Sequence, residues 1–129
     1  MQVADAMSKV VLTVGTQHTL REACRLMVQR NVGAAVVISE ELPGPGIVTE
    51  RDVLRAVAEG VDLDATTVAD VMTFEARTAS TSWDLETAAA EMVRHGFRHL
   101  VVVDGGGSLA GVLSMRDVVR ARVGQAAPA

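Results

Sequence analysis

The feature that most limits how this chain can fold is an internal repeat. When the sequence is shifted by 65 residues it aligns with itself without a gap through its first half, so that Val3 falls on Val68 and Gly46 on Gly111. A repeat at a fixed offset indicates that one structural unit is used twice. We therefore predict two copies of one unit, residues 1–62 and residues 63–129. Further matched pairs are Asp5 with Asp70, Leu20 with Leu85, Met27 with Met92, Val36 with Val101, Arg51 with Arg116, Asp52 with Asp117 and Arg55 with Arg120.

Composition bounds the size, the partners and the compartment. A chain of 129 residues forms one domain or two very small ones, and 49% hydrophobic residues suffice for a core. A formal net charge of −4 argues against nucleic-acid binding, which needs a basic surface. One cysteine, Cys24, excludes an internal disulfide and fits a reducing compartment. The N-terminus lacks the pattern of a signal peptide and no apolar run could span a bilayer, so we expect a cytoplasmic protein with no membrane partner.

Each copy is predicted to contain a short helical lead-in and then a strand, a helix, two strands and a helix. In the first copy we expect a strand at Val10–Val14, and apolar residues spaced by three and four from Leu20 to Val28 predict a helix that ends at Asn31 or Gly33. The apolar run Ala34–Ile38 predicts a strand covered on both faces, paired as a hairpin with Ile47–Thr49. A helix from Glu50 to about Glu59 closes the copy. The second copy has strands at Arg77–Ala79, His99–Val103 and Ala110–Leu113, a helix between Asp84 and Gly96, a helix from Met115 to Val123, and a tail, Gln125–Ala129, that we expect to be frayed.

The turn from the last strand into the last helix has the same pattern in both copies. A hydroxyl residue stands at the helix start and a carboxylate follows three residues later, as Thr49 with Asp52 and as Ser114 with Asp117. This spacing is typical of a capping box. It also suits a binding site, because a carboxylate can accept hydrogen bonds from a vicinal diol such as a ribose, and the helix start favours phosphate. Repetition of the pattern favours the binding interpretation.

The order of elements predicts an α/β (α+β) fold. Each β-α-β-β-α copy has about 60 residues, a size that is marginal for independent stability. We therefore expect the two copies to pack sheet to sheet with pseudo-twofold symmetry. The two strand-to-helix turns would then lie in clefts between the copies.

The repeated pattern resembles a tandem pair of CBS domains, also called a Bateman module, over nearly the whole chain. The resemblance rests on the two Val-Ala-Asp-x-Met lead-ins, on Gly46–Asp52 and Gly111–Asp117, and on Arg98–Asp104. It implies binding of an adenosine ligand, which would be AMP, ADP or ATP, and less often S-adenosylmethionine or NAD. No cofactor is required. The resemblance also implies that the carboxylate of each turn holds the ribose hydroxyls while the hydroxyl residue supports the ribose or a phosphate.

The two copies differ where basic residues of this family often meet phosphates. At the start of its middle strand the second copy has Arg98 and His99, whereas the first has Gly33 and Ala34, so that Arg51 or Arg77 would have to substitute there. The resemblance further implies that the first strand of one copy contributes to the site of the other. The complete set of expected nucleotide-binding residues is Val10, Leu12, Thr49, Arg51, Asp52, Arg77, Arg98, His99, Val112, Ser114, Arg116 and Asp117, with Val10 and Leu12 near the adenine of the Asp117 site.

Two functions fit the sequence. The first is a stand-alone sensor that binds an adenine nucleotide and signals to an effector protein that the sequence does not identify. The alternative is a structural dimerisation or protein-interaction module with vestigial ligand sites. An enzyme is not expected, because Cys24 lies on an apolar helix face and no nucleophile or metal-ligand cluster has suitable spacing. A mean hydropathy of +0.27 is high for a small monomer, so we expect a homodimer formed through the long helices and the closing helices at Val53–Val57 and Val118–Val123.

Overall fold

A computed structural model describes residues 1–126 and confirms the predicted fold class, with two three-stranded sheets accompanied by helices. Gln125 and Ala126, which we expected to be frayed, belong to the last helix; residues 127–129 of that tail lie outside the described residues. The elements in chain order are α1 (Val3–Ala6), β1 (Thr13–Val14), α2 (Leu20–Arg30), β2 (Ala34–Val37), β3 (Gly46–Thr49), α3 (Glu50–Glu59), α4 (Val68–Val71), β4 (Thr78–Ser80), α5 (Leu85–His95), β5 (His99–Val103), β6 (Leu109–Ser114) and α6 (Met115–Ala126).

The two sheets have the same topology. In each sheet the first strand pairs in parallel with the middle strand, and the middle strand pairs antiparallel with the last one, in the orders β1-β2-β3 and β4-β5-β6. The first strand is shorter than the predicted Val10–Val14, because only Thr13 and Val14 have partners in β2. Leu12 still accepts a backbone hydrogen bond, at 2.9 Å, from Val36. The two predicted hairpins, β2 with β3 and β5 with β6, are both present.

The ends of the long helices follow from local sequence. Thr19 caps α2, because its side-chain oxygen accepts a hydrogen bond from the N–H of Glu22 at 3.1 Å. The helix ends at Asn31, whose φ of 53° is left-handed, and α5 ends in the same way at Gly96, with φ of 70°. Asparagine and glycine adopt this conformation at the lowest cost, which explains why each helix stops there.

The chain forms two compact units, and neither of them coincides with a single copy of the repeat. The first unit is Val11–Ala76; the second consists of Met1–Val10 and the described residues from Arg77 onward. The lead-in helix α1 therefore belongs to the unit that contains the second repeat, where Val3 packs in the core with Leu85, Leu100 and Leu113. The lead-in α4 correspondingly packs in the first unit, whose core contains Val68 and Met72 together with Leu20, Ala35 and Val37.

Two residues after each lead-in helix, the backbone forms a bridge with the last strand of the sheet in its unit. Ser8 and Val112 form an antiparallel bridge in the second unit, and Thr73 forms the equivalent bridge with Ile47 in the first. This close approach accounts for the glycine that precedes each bridged residue. A Cβ on Gly111 would lie 2.5 Å from the carbonyl oxygen of Ser8, too close for any real contact.

No helix among the described residues combines the length and the apolar character that crossing a bilayer requires.

Candidate functional site

The first candidate site is the turn from β3 into α3, formed by Thr49–Asp52 and called the first turn below. The N–H of Thr49 donates a hydrogen bond to Asp52 Oδ2 at 2.8 Å, and the Thr49 hydroxyl donates to the same oxygen at 3.1 Å. In return, the N–H of Asp52 donates to Thr49 Oγ1 at 3.4 Å. These reciprocal bonds are the capping box that the spacing predicted.

The second turn, Ser114–Asp117, joins β6 to α6 and repeats this geometry. The N–H of Ser114 donates to Asp117 Oδ2 at 2.8 Å, and the N–H of Asp117 donates to Ser114 Oγ at 3.1 Å. The same pattern in two copies therefore builds the same local structure twice.

A capping box alone does not indicate a ligand site. The short lead-in α4 has one as well, in which the N–H and the hydroxyl of Thr67 donate to Asp70 Oδ2 at 2.8 and 3.1 Å. Asp70 is exposed, whereas the side chains of Asp52 and Asp117 are only 14% and 9% exposed. Asp117 is the one charged residue that is buried among those the structure describes. Because burying a carboxylate is costly unless it is well paired, the burial of Asp117 distinguishes it from the exposed capping residue Asp70.

The second oxygen of each turn carboxylate keeps its capacity to accept hydrogen bonds. The capping box uses Oδ2 in both turns, while Oδ1 faces an arginine one helical turn later. Arg55 Nη1 lies 3.8 Å from Asp52 Oδ1, and Arg120 Nη1 lies 3.5 Å from Asp117 Oδ1, distances that belong to loose ion pairs. Both arginine side chains are mostly exposed, so a ligand hydroxyl could approach Oδ1.

The start of the middle strand lies beside each turn. In the second unit His99 is paired with Ser114, and the N–H of Met115 donates to the carbonyl of Arg98 at 2.9 Å. The structure therefore brings the predicted basic pair, Arg98 and His99, next to the hydroxyl residue of the second turn. Arg98 is exposed and His99 is half-buried.

At the first turn a carboxylate lies beside the residue before the middle strand. The N–H of Glu50 donates to the carbonyl of Gly33 at 2.9 Å, as Met115 does to Arg98. The Glu50 carboxylate folds over Gly33, so that a Cβ on this glycine would lie 3.0 Å from Oε1. Glu50 was not among the residues predicted for the site. The repeat alignment contained the signal, since Glu50 falls on Met115 and Gly33 falls on Arg98.

The other residues predicted for the sites have varied surroundings. Arg77 lies in the second unit with its guanidinium carbon 5.8 Å from the centre of the Phe97 ring. Val10 is 76% exposed, whereas Leu12 is 6% exposed and packs in the core of the first unit. Val112 is half-buried in β6. Arg51 and Arg116 are both exposed in the first turns of α3 and α6.

Catalytic and metal-binding arrangements were not expected. Within the part of the chain that the structure describes, no three His, Cys, Asp or Glu residues are grouped so as to hold a metal ion. Cys24 packs against the core of the first unit. Burial raises the pKa of the Cys24 thiol, and nearby Arg21 lowers it by a smaller amount. A raised pKa is the opposite of what an activated thiolate needs.

Comparisons with known proteins agree with this fold. A family model described as CBS domain matches residues 3–59 and 68–124. The CBS domain-containing protein YhcV of Bacillus subtilis is 37% identical over 117 residues, which cover 90% of this chain and 81% of that protein. A solved protein with CBS domains from Burkholderia ambifaria superposes with a TM-score of 0.90 at 30% identity, covering 100% of this chain and 98% of the other. The CBS domain protein PAE2072 from Pyrobaculum aerophilum, complexed with AMP, gives a TM-score of 0.82 at 34% identity, with 91% and 89% covered.

Proposed function

This chain belongs to the CBS-domain family and carries two CBS domains in tandem, and we propose that it is a regulatory module that binds an adenine nucleotide and passes the signal to a partner protein. The ligand is AMP, ADP or ATP, in preference to S-adenosylmethionine or NAD. Each strand-to-helix turn contributes a ribose acceptor, Asp52 or Asp117. The similarity to the Pyrobaculum aerophilum CBS domain protein that is complexed with AMP supports this choice of ligand.

The burial of Asp117 is the observation that carries the proposal. Its side chain is 9% exposed, one oxygen belongs to the capping box, and the other is only loosely paired with Arg120. An ionised carboxylate can accept about four hydrogen bonds, so Oδ1 has acceptor capacity left for the two hydroxyls of a ribose. A ligand diol at this position would compensate the buried charge.

The charges beside Asp117 suit the phosphate of the same ligand. Arg98 precedes β5, where its carbonyl accepts from the N–H of Met115, and Arg116 lies in the first turn of α6. The backbone positions of two arginines and a helix start are therefore close to the ribose acceptor along the fold. A charge-assisted hydrogen bond contributes about 1.5–3 kcal/mol, so either arginine could decide whether a phosphate is bound.

Thermal unfolding in the presence of AMP, ADP, ATP, NAD and S-adenosylmethionine tests the proposal. A ligand at about a hundred times its dissociation constant stabilises the folded state by about 2.7 kcal/mol. We expect such stabilisation with an adenine nucleotide, a loss of it in Asp117→Ala, and no loss in Asp70→Ala. Asp70 is the matched control, because it has the same capping-box geometry at an exposed position. If none of the five ligands raises the unfolding temperature, the module is not a nucleotide sensor.

One observation favours the alternative of a dimerisation module, and it also supports a homodimeric sensor. Four large aliphatic side chains at equivalent helix positions of the two repeats are strongly exposed. They are Val28 at 80%, Val93 at 73%, Leu54 at 69% and Val119 at 55%. The repeated exposure of apolar residues on helices is typical of an association surface. We propose that a second copy of this chain covers these helices, whether or not the turns bind a ligand.

A further inference from the structure

We propose that Glu50 determines the ligand specificity of the first turn, so that this turn takes an adenosine ligand without a phosphate while the second turn takes the nucleotide. The inference rests on the proposed function, since it assumes that Asp52 accepts a ribose as Asp117 does. It assigns the first turn to nucleosides that are neutral or positively charged at their 5′ end.

The two turns share one backbone frame, which makes their side chains directly comparable. The N–H of the first helical residue donates to the carbonyl of the residue before the middle strand at 2.9 Å in both units. The turn carboxylate, the arginine before it and the arginine three residues after it are identical. The first turn has Gly33, Ala34 and Glu50 where the second has Arg98, His99 and Met115.

These substitutions reverse the charge at one place. In the second unit the residue at the mouth of β5 is a cation, Arg98, and the neighbouring helix residue, Met115, is neutral. In the first unit the mouth of β2 has no side chain, and the Glu50 carboxylate fills the space, with Oε1, Cδ and Oε2 within 3.0–3.3 Å of where a Cβ of residue 33 would lie. At equivalent backbone positions the first turn therefore has a carboxylate beside the residue before the middle strand, whereas in the second turn that residue is itself an arginine.

The charge reversal selects against phosphate. Counting Glu50, Arg51, Asp52 and Arg55, the first turn is balanced, whereas Arg98, Arg116, Asp117 and Arg120 give the second turn an excess of two positive charges. A phosphate monoester carries about −1.5 to −2 at pH 7, so it is repelled by the anion beside Gly33 and attracted by Arg98. Recognition of the ribose is unaffected, because Asp52 Oδ1 is held in the same way as Asp117 Oδ1.

Titration calorimetry with adenosine and AMP on the full chain tests this assignment. Adenosine should bind at both turns, and Asp52→Ala should remove one of the two binding events. AMP should bind at the second turn and at least tenfold more weakly at the first. Glu50→Gln, and Glu50→Met, which copies the second repeat, should raise AMP affinity at the first turn at least tenfold and change adenosine affinity less than twofold. Glu50 is exposed, so neither substitution disturbs a core.

The matched control is Glu59→Gln, which removes the same charge from the far end of α3. It should leave both ligands unchanged. An equal gain of AMP affinity in Glu59→Gln would show that only the net charge of the protein matters, and would overturn the assignment. So would an unchanged AMP affinity in Glu50→Gln, or the absence of an adenosine event that depends on Asp52. None of these outcomes concerns AMP binding at Asp117. The effect of Asp117→Ala on AMP binding tests the proposed function separately.

Discussion

Ser8 and Val112, from opposite ends of the chain, exchange two backbone hydrogen bonds, with N···O distances of 2.9 and 3.1 Å. Thr73 and Ile47 do the same in the first unit, at 2.9 and 3.0 Å. Each lead-in is thereby attached to the sheet of a unit that consists mainly of the other repeat. The glycines of the repeated strand motif leave room for this attachment.

Gly111→Ala and Gly46→Ala should each destabilise the fold. The added methyl group would press on the Ser8 carbonyl in one case, and on Met72 and the Thr73 carbonyl in the other. Overpacking of this kind costs about 1–3 kcal/mol, which urea unfolding would measure. Gly44→Ala is the control, since nothing lies within 4 Å of its added Cβ. Equal stability of Gly44→Ala and Gly111→Ala would contradict the close approach of the lead-in.

The two turns should differ in their affinity for AMP. Only the second turn has the basic pair, Arg98 and His99, and the first has a carboxylate in that place. We expect at least tenfold tighter binding at the second turn, which corresponds to about 1.4 kcal/mol. In calorimetry, Asp117→Ala should abolish the tight event and Asp52→Ala should leave it nearly intact. Both variants lose a capping box, so the comparison cancels the effect on helix stability. The reverse result would mean that the phosphate-binding base lies at the first turn.

The chain should form a homodimer through its exposed helix faces. Light scattering at micromolar concentrations should return twice the 13.6 kDa of one chain. Introducing charge at equivalent positions of both repeats, with Leu54→Glu and Val119→Glu together, should shift the equilibrium to monomer. Ile38→Glu serves as the control, because this side chain is 49% exposed but follows β2 instead of lying on a helix. A single-chain mass for the unmodified protein across the concentration range would refute dimerisation.

Stability should fall at alkaline pH because of Cys24. Burial raises the pKa of this thiol in the folded state. The unfolded chain therefore loses the thiol proton first as the pH rises through about 8.5, the ordinary pKa of cysteine. The free energy of unfolding falls above that pH. Urea unfolding from pH 7 to 10 should show this decline, and Cys24→Ala should show less of it. A steeper decline in Cys24→Ala than in the unmodified protein would contradict a raised pKa of the Cys24 thiol in the folded state.

Most local features could be predicted from the sequence because they depend on residues that are close along the chain. The capping boxes at Thr49 and Ser114 require only a hydroxyl and a carboxylate three residues apart, and both formed. The helix end at Gly96 required only a residue that tolerates a left-handed conformation. The hairpin of β5 and β6 followed from two apolar runs around a glycine-rich turn. The repeat itself determined that these features occur twice.

The sequence could not assign the lead-ins to their units, and only the tertiary structure did. Val3 and Met7 are equivalent to Val68 and Met72, so either core offers the same apolar contacts, and local pattern cannot distinguish them. Tertiary packing likewise buried Leu12 in the first core and exposed Val10, although both belonged to one predicted strand. It also placed the Glu50 carboxylate over Gly33, a contact between residues on neighbouring strand and helix ends. The charge at the first turn therefore depends on how the strand end and the helix start meet in space, and the spacing of apolar residues along the sequence does not predict this.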